Sequence, residues 1–392
     1  MKNIIIPLSF YLELDDLGWD NGWDLRVEGK PSSSGVPRHH TIEDYEILQK
    51  ITEETGKHIG AAIVVGDFDK DNYLRGEVGV TYDPYGWDRA SKIDLEKTKK
   101  IIDYMENSNI DYLVHGLLHG RYTEDGKQIN EQEYILYEKD KNGVTKTELP
   151  SEEDFRHRLD LFFKICKSWG MKKPFTGFVN PGSVCGADDE TIAVMCKVLH
   201  EYGVRYWADP FYRWKDYDTV LKVCNGVALV RWLCNPVEMP WCGIDIDPDA
   251  LATVNGVDDG AYRSPFHGSH WANYVRFNPE HNVTHLPAWK RFYERQGEVW
   301  GSVNAETLAE SVNQAFYYQF ARMTEENGVI IIDFTEVEKN KLDCHKNELF
   351  LSFRHGTEPK KCRGGEITLH EKHREFDVYK MTHTDNEVKI FC

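Results

Sequence analysis

At 392 residues the chain is longer than one hydrophobic core usually serves, and 41% hydrophobic with 29% charged residues is the balance of a globular protein. Its 65 Asp and Glu against 47 Lys and Arg, a net charge of −18, argue against nucleic acid or an anionic membrane surface as partner, since both reward basic patches. Nine cysteines, an odd number with no CxxC spacing, argue against a disulfide framework or a zinc–cysteine site and for reduced thiols in the cytoplasm.

The first element is an apolar run, IIIPLSFYLEL at 4–14, that ends on the adjacent carboxylates Asp15 and Asp16. It lacks a small-residue cleavage site and runs directly into acidic residues, unlike a signal peptide. No stretch reaches the length that spans a bilayer. The run therefore reads as the first strand of a cytoplasmic protein. Two neighbouring charges at the end of a buried strand are costly unless a cation or bound protons neutralise them. The GWDNGWD segment that follows sets Trp19 and Asp20 before Trp23 and Asp24. It either lines a sugar subsite, stacking on ring faces, or caps a loop with its own packed tryptophans.

A helix is predicted over 41–56, then a strand at 58–68, a helix over 94–109 and a strand at 110–118. The last of these carries His115 and His119 in the spacing H-x-x-x-H. On a helical turn two such imidazoles face one side and can share a cation. The zinc-protease signature needs a Glu after the first His, and here that position is Gly116. Residues 120–150 form a polar, turn-rich insert that either folds over the mouth of the site or runs out into solvent. A helix over 152–170 leads to a strand at 175–182 holding Asn180, and a helix over 188–203 leads to a strand at 204–210 holding Asp209. Further strands are predicted at 227–233 and, more weakly, 261–267, with His267 and His270 at the end. A helix over 304–328 closes the series, and short alternating runs from 329 onward read as antiparallel β structure.

Apolar strands alternating with helices predict an α/β fold with a parallel sheet. About seven units over some 320 residues fit a distorted (β/α)7 TIM-like barrel, whose strands deliver chemistry at their C-terminal ends. The expected division is a barrel at 1–327 and a small C-terminal antiparallel β domain at 328–392.

The order Asp15-Asp16 after the first strand and His115-x-x-x-His119 after the third resembles the polysaccharide deacetylase, or NodB-homology, superfamily. GAAIVVGDF at 60–68, FVNPG at 178–182, YWADP at 206–210 and FHGSHW at 266–271 follow in the places of that family's other motifs. The resemblance implies Asp15 as general base and Asp16, His115 and His119 as ligands of a divalent ion. Zinc comes first among the ions implied, with cobalt, nickel or manganese as alternatives. One of His267 and His270 would be the acid that protonates the leaving amine, and Asp209 would support it. The arginine usual in the third motif is replaced by Val179-Asn180-Pro181; Arg205, Arg231 and Arg263 are candidates by position to orient Asp15. The implied activity is hydrolysis of an N-acetyl group on a soluble sugar or oligosaccharide, with Asn180 and Asp209 as substrate contacts beside the sugar subsite that Trp19 and Asp20 offer. Two alternatives stand beside it: a barrel glycosidase using paired carboxylates, and a catalytically silent carbohydrate-binding barrel.

Overall fold

The computed structural model describes residues 3–18, 38–141, 143–182, 188–210, 218–233, 263–326 and 328–392. Seven strands form its centre: β1 (Leu8–Leu17), β2 (Ile59–Val64), β3 (Ile110–Gly116), β4 (Phe175–Val179), β5 (Tyr206–Pro210), β6 (Val227–Leu233) and β7 (Phe266–His270). Each pairs in parallel with the next, and β7 pairs in parallel with β1, so the sheet closes on itself as a TIM-like barrel. The closure is irregular at β1. Ser302–Asn304 pairs with its first half (Leu8 to Phe10), and β7 pairs with its second half (Tyr11 to Asp15).

Strand alternation builds two apolar layers from the same residues. Phe10, Leu12 and Leu14 of β1, with Ala61, Ile63, Val114 and Phe178, belong to a cluster packed under the helices. Tyr11, with Ala62, Leu113, Ala208, Val230 and Trp232, belongs to the cluster inside the barrel. Around that wall stand α1 (Ile42–Thr55), α2 (Leu95–Asn107), α3 (Glu152–Ser168) and α4 (Asp189–Glu201). Asp94, Ser151 and Asp188 cap the last three through their side chains, which is why the capping residues located these helices in the sequence. The periodic pattern did not single out α5 (Leu286–Gly297), which buries Trp289 and Phe292.

The last predicted helix is shorter than expected. α6 (Leu308–Phe320) ends at Ala321, which is extended (ψ 142°), and Arg322–Glu326 is a strand. It pairs with the β-branched run Val329–Asp333 across a turn at Gly328 (φ 74°), so sheet pairing overrides the helical pattern of 321–326. This hairpin straddles the expected division at 327/328. The C-terminal strands form two four-stranded antiparallel sheets, one of which includes Ile4–Ile5 from the start of the chain. One short helix, Thr335–Asn340, interrupts a region expected to be strand alone. Among the described residues no helix is long and apolar enough to cross a membrane.

The barrel interior is tightly filled around Glu13. Its register partners are glycines on both sides, Gly60 on β2 and Gly268 on β7. The Tyr11 ring fills the space a side chain at Gly60 would need, and the Trp232 indole fills the space at Gly268, 2.8 Å from a Cβ there. Gly268→Ala should therefore lower the unfolding free energy by about 1–3 kcal/mol through overpacking. Chemical denaturation measures this, and an unchanged midpoint would contradict the packing described.

Candidate metal centre

Alternation along β1 turns Tyr11, Glu13 and Asp15 inward, so Asp16 should point out of the barrel. The strand breaks that rule. Its register with β2 shifts between Leu14 and Leu17, and Asp16 takes a left-handed backbone conformation (φ 57°). This irregularity re-aims a side chain, as bulges at strand ends do, and brings both carboxylates to one place. The left-handed conformation costs Asp16 about 1 kcal/mol or more.

His115 ends β3 on its inward face, and its Nδ1 lies 2.9 Å from the carbonyl oxygen of Val179. A hydrogen bond donated by Nδ1 leaves the Nε2 lone pair of a neutral ring directed at the aspartates. His119 stands in a bend and not on a helix, with φ 58°. The two rings meet, centroids 4.9 Å apart, through the bend over residues 117–119 that follows Gly116 (φ 145°), and not through helical periodicity. This corrects the helical-turn expectation. The turn is fastened from both sides: Val65 and Gly66 donate their amides to the carbonyls of Gly116 and Leu117, and the Glu133 carboxylate accepts from the amides of Leu117 and Leu118.

The donor atoms converge on one carboxylate oxygen. Asp16 Oδ1 lies 3.0 Å from His115 Nε2 and 2.8 Å from His119 Nε2. Asp15 Oδ1 is also 3.0 Å from His115 Nε2. One ligand atom each from Asp16, His115 and His119 falls within 4.8 Å of the others. A tetrahedral ion with bonds near 2.0–2.1 Å sets its ligand atoms about 3.3 Å apart, so these residues fit a divalent cation after small side-chain movements. Two imidazoles and one carboxylate also match the donor set of hydrolytic zinc sites, which keep a position open.

Charge in this cluster is strongly shifted. Burial opposes ionisation of Asp16, but His119 and His115 hold it well below the usual carboxylate range. Asp15 goes the other way: burial, aided by the Asp16 charge, pushes it up against the pull of its three histidine neighbours. Burial would lower His115, yet Asp15 and Asp16 raise it to about 9. Glu13, one layer deeper, is pushed well above the usual range by burial and by the charges of Asp15 and Asp16.

The remaining predicted residues divide. His270 is the register partner of Asp15 and puts Nε2 3.7 Å from Asp16 Oδ2. His267, an odd number of residues earlier on β7, faces the other way. It stacks on Phe10 at 4.6 Å, its Nε2 lies 2.7 Å from the Ser264 carbonyl, and burial lowers it to about 3. The expectation that His267 could be the acid is corrected accordingly: it does not reach the carboxylates. Asn180 is buried beside the Val179 carbonyl, and its Nδ2 donates to Pro181. Asp209 is buried at the end of β5, in register with Arg231. Arg205 pairs with Asp343, and Arg263 donates to the Tyr318 hydroxyl. Trp19 and Asp20 lie outside the described residues. Sequence reasoning passed over Glu133 and Glu13; the one signal for the former was the apolar Tyr134-Ile135-Leu136 run inside a polar insert.

No protein-family model and no curated protein matches the chain. Its fold is similar to that of several solved structures. A 4-alpha-glucanotransferase from Thermococcus litoralis is 12% identical with a TM-score of 0.42, over 78% of this chain and 40% of that one. A b-L-arabinopyranosidase of family GH27 from Geobacillus stearothermophilus is 12% identical with a TM-score of 0.35, over 98% and 97%. A GH30 endoxylanase from Clostridium papyrosolvens is 7% identical with a TM-score of 0.35, over 98% and 96%. This chain thus spans well under half of the glucanotransferase. The likeness to the deacetylase superfamily rests on the sequence motifs alone.

The raised His115 has a consequence for the metal-free protein. A histidine whose folded pKa exceeds its unfolded value stabilises fully below the latter and loses that contribution as pH rises through the former, here between 6.5 and about 9. With chelator present, the melting-temperature gap between wild type and His115→Gln should be larger near pH ~6 than near pH ~9.5. Equal gaps would contradict the charge state assigned to the cluster.

Proposed function

We propose that this protein is a metal-dependent hydrolase that removes an acyl group, foremost N-acetyl, from a carbohydrate-type small molecule or oligosaccharide. The observation that carries the reading is Asp16 Oδ1 facing two imidazole nitrogens at 2.8 and 3.0 Å, with Asp15 against the same ring. Asp16, His115 and His119 would hold the ion, zinc first among the candidates, which would supply Lewis acidity toward an acyl oxygen and make a nearby water more acidic. Asp15, 3.0 Å from the same His115 ring, is the carboxylate placed to take the proton from the attacking water. As the new C–O bond forms and the amide C–N bond breaks, His270 protonates the departing nitrogen from the far side of Asp16. Asn180 and Asp209 are assigned to substrate binding from their motif positions, and Trp19 and Asp20, beyond the described residues, from the chemistry of an aromatic and a carboxylate beside a sugar ring.

A second reading is favoured by one specific observation. Asp15 is pushed up while Asp16 is held down, and a carboxylic acid beside a carboxylate is also the equipment of a barrel glycosidase. The glycosidases among the similar structures share the barrel at that level. Chelation separates the two. The metal-dependent reading predicts acetate release from N-acetyl sugars that disappears with EDTA and returns with zinc, cobalt or nickel. In that assay Asp15→Asn and His270→Ala should each lower kcat by about 10²–10⁴. Release of reducing sugar that survives EDTA would establish the glycosidase instead. Sugar binding without either product, unaffected by Asp15→Asn, would indicate a silent binding barrel.

A further inference from the structure

The insert at 120–150 reaches the turn that carries His119. Glu133 is fully buried, and its two carboxylate oxygens accept from consecutive amides of the His115–His119 turn, Leu117 at 2.6 Å and Leu118 at 3.1 Å. Successive backbone amides turned toward one carboxylate form a nest for a negative charge. Gly116 leaves room for it: a Cβ there would sit 2.5 Å from Glu133 Oε2. The carboxylate is itself wedged in place. Tyr134 packs on Phe155 of α3 and Phe178 of β4, ring centroids 5.1 and 5.6 Å away. Glu131 fills the space beside Gly182, where a Cβ would lie 2.3 Å from its own. The insert therefore reaches from the histidine turn to the loop after β4.

We propose that Glu133 is a positioning residue of the metal centre: it fixes the turn that carries His119, so that the ion and the insert hold each other in place. His119 needs that support. It lies in a left-handed conformation in a bend outside β3, and the bonds from Val65 and Gly66 secure only the carbonyl side of the turn. A ligand whose backbone is left free pays its ordering cost when the ion binds. Because coupling between two sites is reciprocal, the insert must be steadied by the ion to the same degree as the ion is by the insert. The proposal rests on the metal-centre reading and says which part of the chain sets its affinity.

The test combines zinc titration against a competing chelator, the visible spectrum of the cobalt-loaded protein, and amide hydrogen exchange with and without zinc. Glu133→Gln should bind zinc about tenfold or more weakly than wild type, the effect expected when the support behind a ligand is removed, and its cobalt spectrum should change in position or intensity. In wild type, zinc should slow exchange over residues 117–135, with that protection reduced in Glu133→Gln while helix α3 is unaffected. Wild-type zinc affinity and an unchanged cobalt spectrum in Glu133→Gln would overturn this proposal alone. Should that variant not fold, the wild-type exchange experiment decides by itself, because bound zinc that leaves 117–135 unchanged overturns the coupling. A wild-type protein that binds no zinc or cobalt would overturn the metal-centre reading and this proposal together.

Discussion

The structure turns on one buried carboxylate. Asp16 is nearly inaccessible to water and faces two histidine side chains, with Asp15 at its side and Glu13 beneath. An arrangement this dense in ionisable groups is unfavourable in a barrel interior unless cations balance it, whether protons on the imidazoles or a metal. In the metal-free protein His115 carries that burden, and its affinity for protons rises to match. A metal held there would have to displace that proton, so its binding would weaken as pH falls.

The backbone bends to serve this cluster. Among the described residues five other than glycine have positive φ, and three of them, Asp16, His119 and Glu131, lie in the site or in the insert beneath it. Such conformations persist where the surroundings over-determine them. Here the surroundings are identifiable: the shifted register at the end of β1, the amides of Val65 and Gly66, and the Glu133 carboxylate. Rigid strands deliver the first aspartate and the first histidine, while irregular backbone delivers their partners. The barrel supplies position, and the turns supply convergence.

Much of this was legible in the sequence, for reasons that differ from element to element. The first six strands announce themselves as apolar runs because both faces of each are largely buried, whereas the seventh, expected weakly at 261–267, lies at Phe266–His270. The adjacency of Asp15 and Asp16 marked where charge gathers, although plain alternation would have placed them on opposite faces; the bulge that reunites them leaves no local signature. His267 and His270 could not be separated by residue type, yet an odd spacing along a strand does separate them once the strand is known to run through both. The 304–328 segment misled because its polar tail keeps a helical pattern that pairing with Val329–Asp333 overrules. Glu133 was hidden because its role depends on which backbone amides a distant turn exposes, and that is decided by the folded chain.

The most direct measurement is anomalous diffraction at the zinc edge from crystals of the protein grown with zinc. One strong peak is expected at bonding distance from Asp16 and from the Nε2 atoms of His115 and His119. A map with no peak there, and with those three side chains turned away from one another, would contradict it.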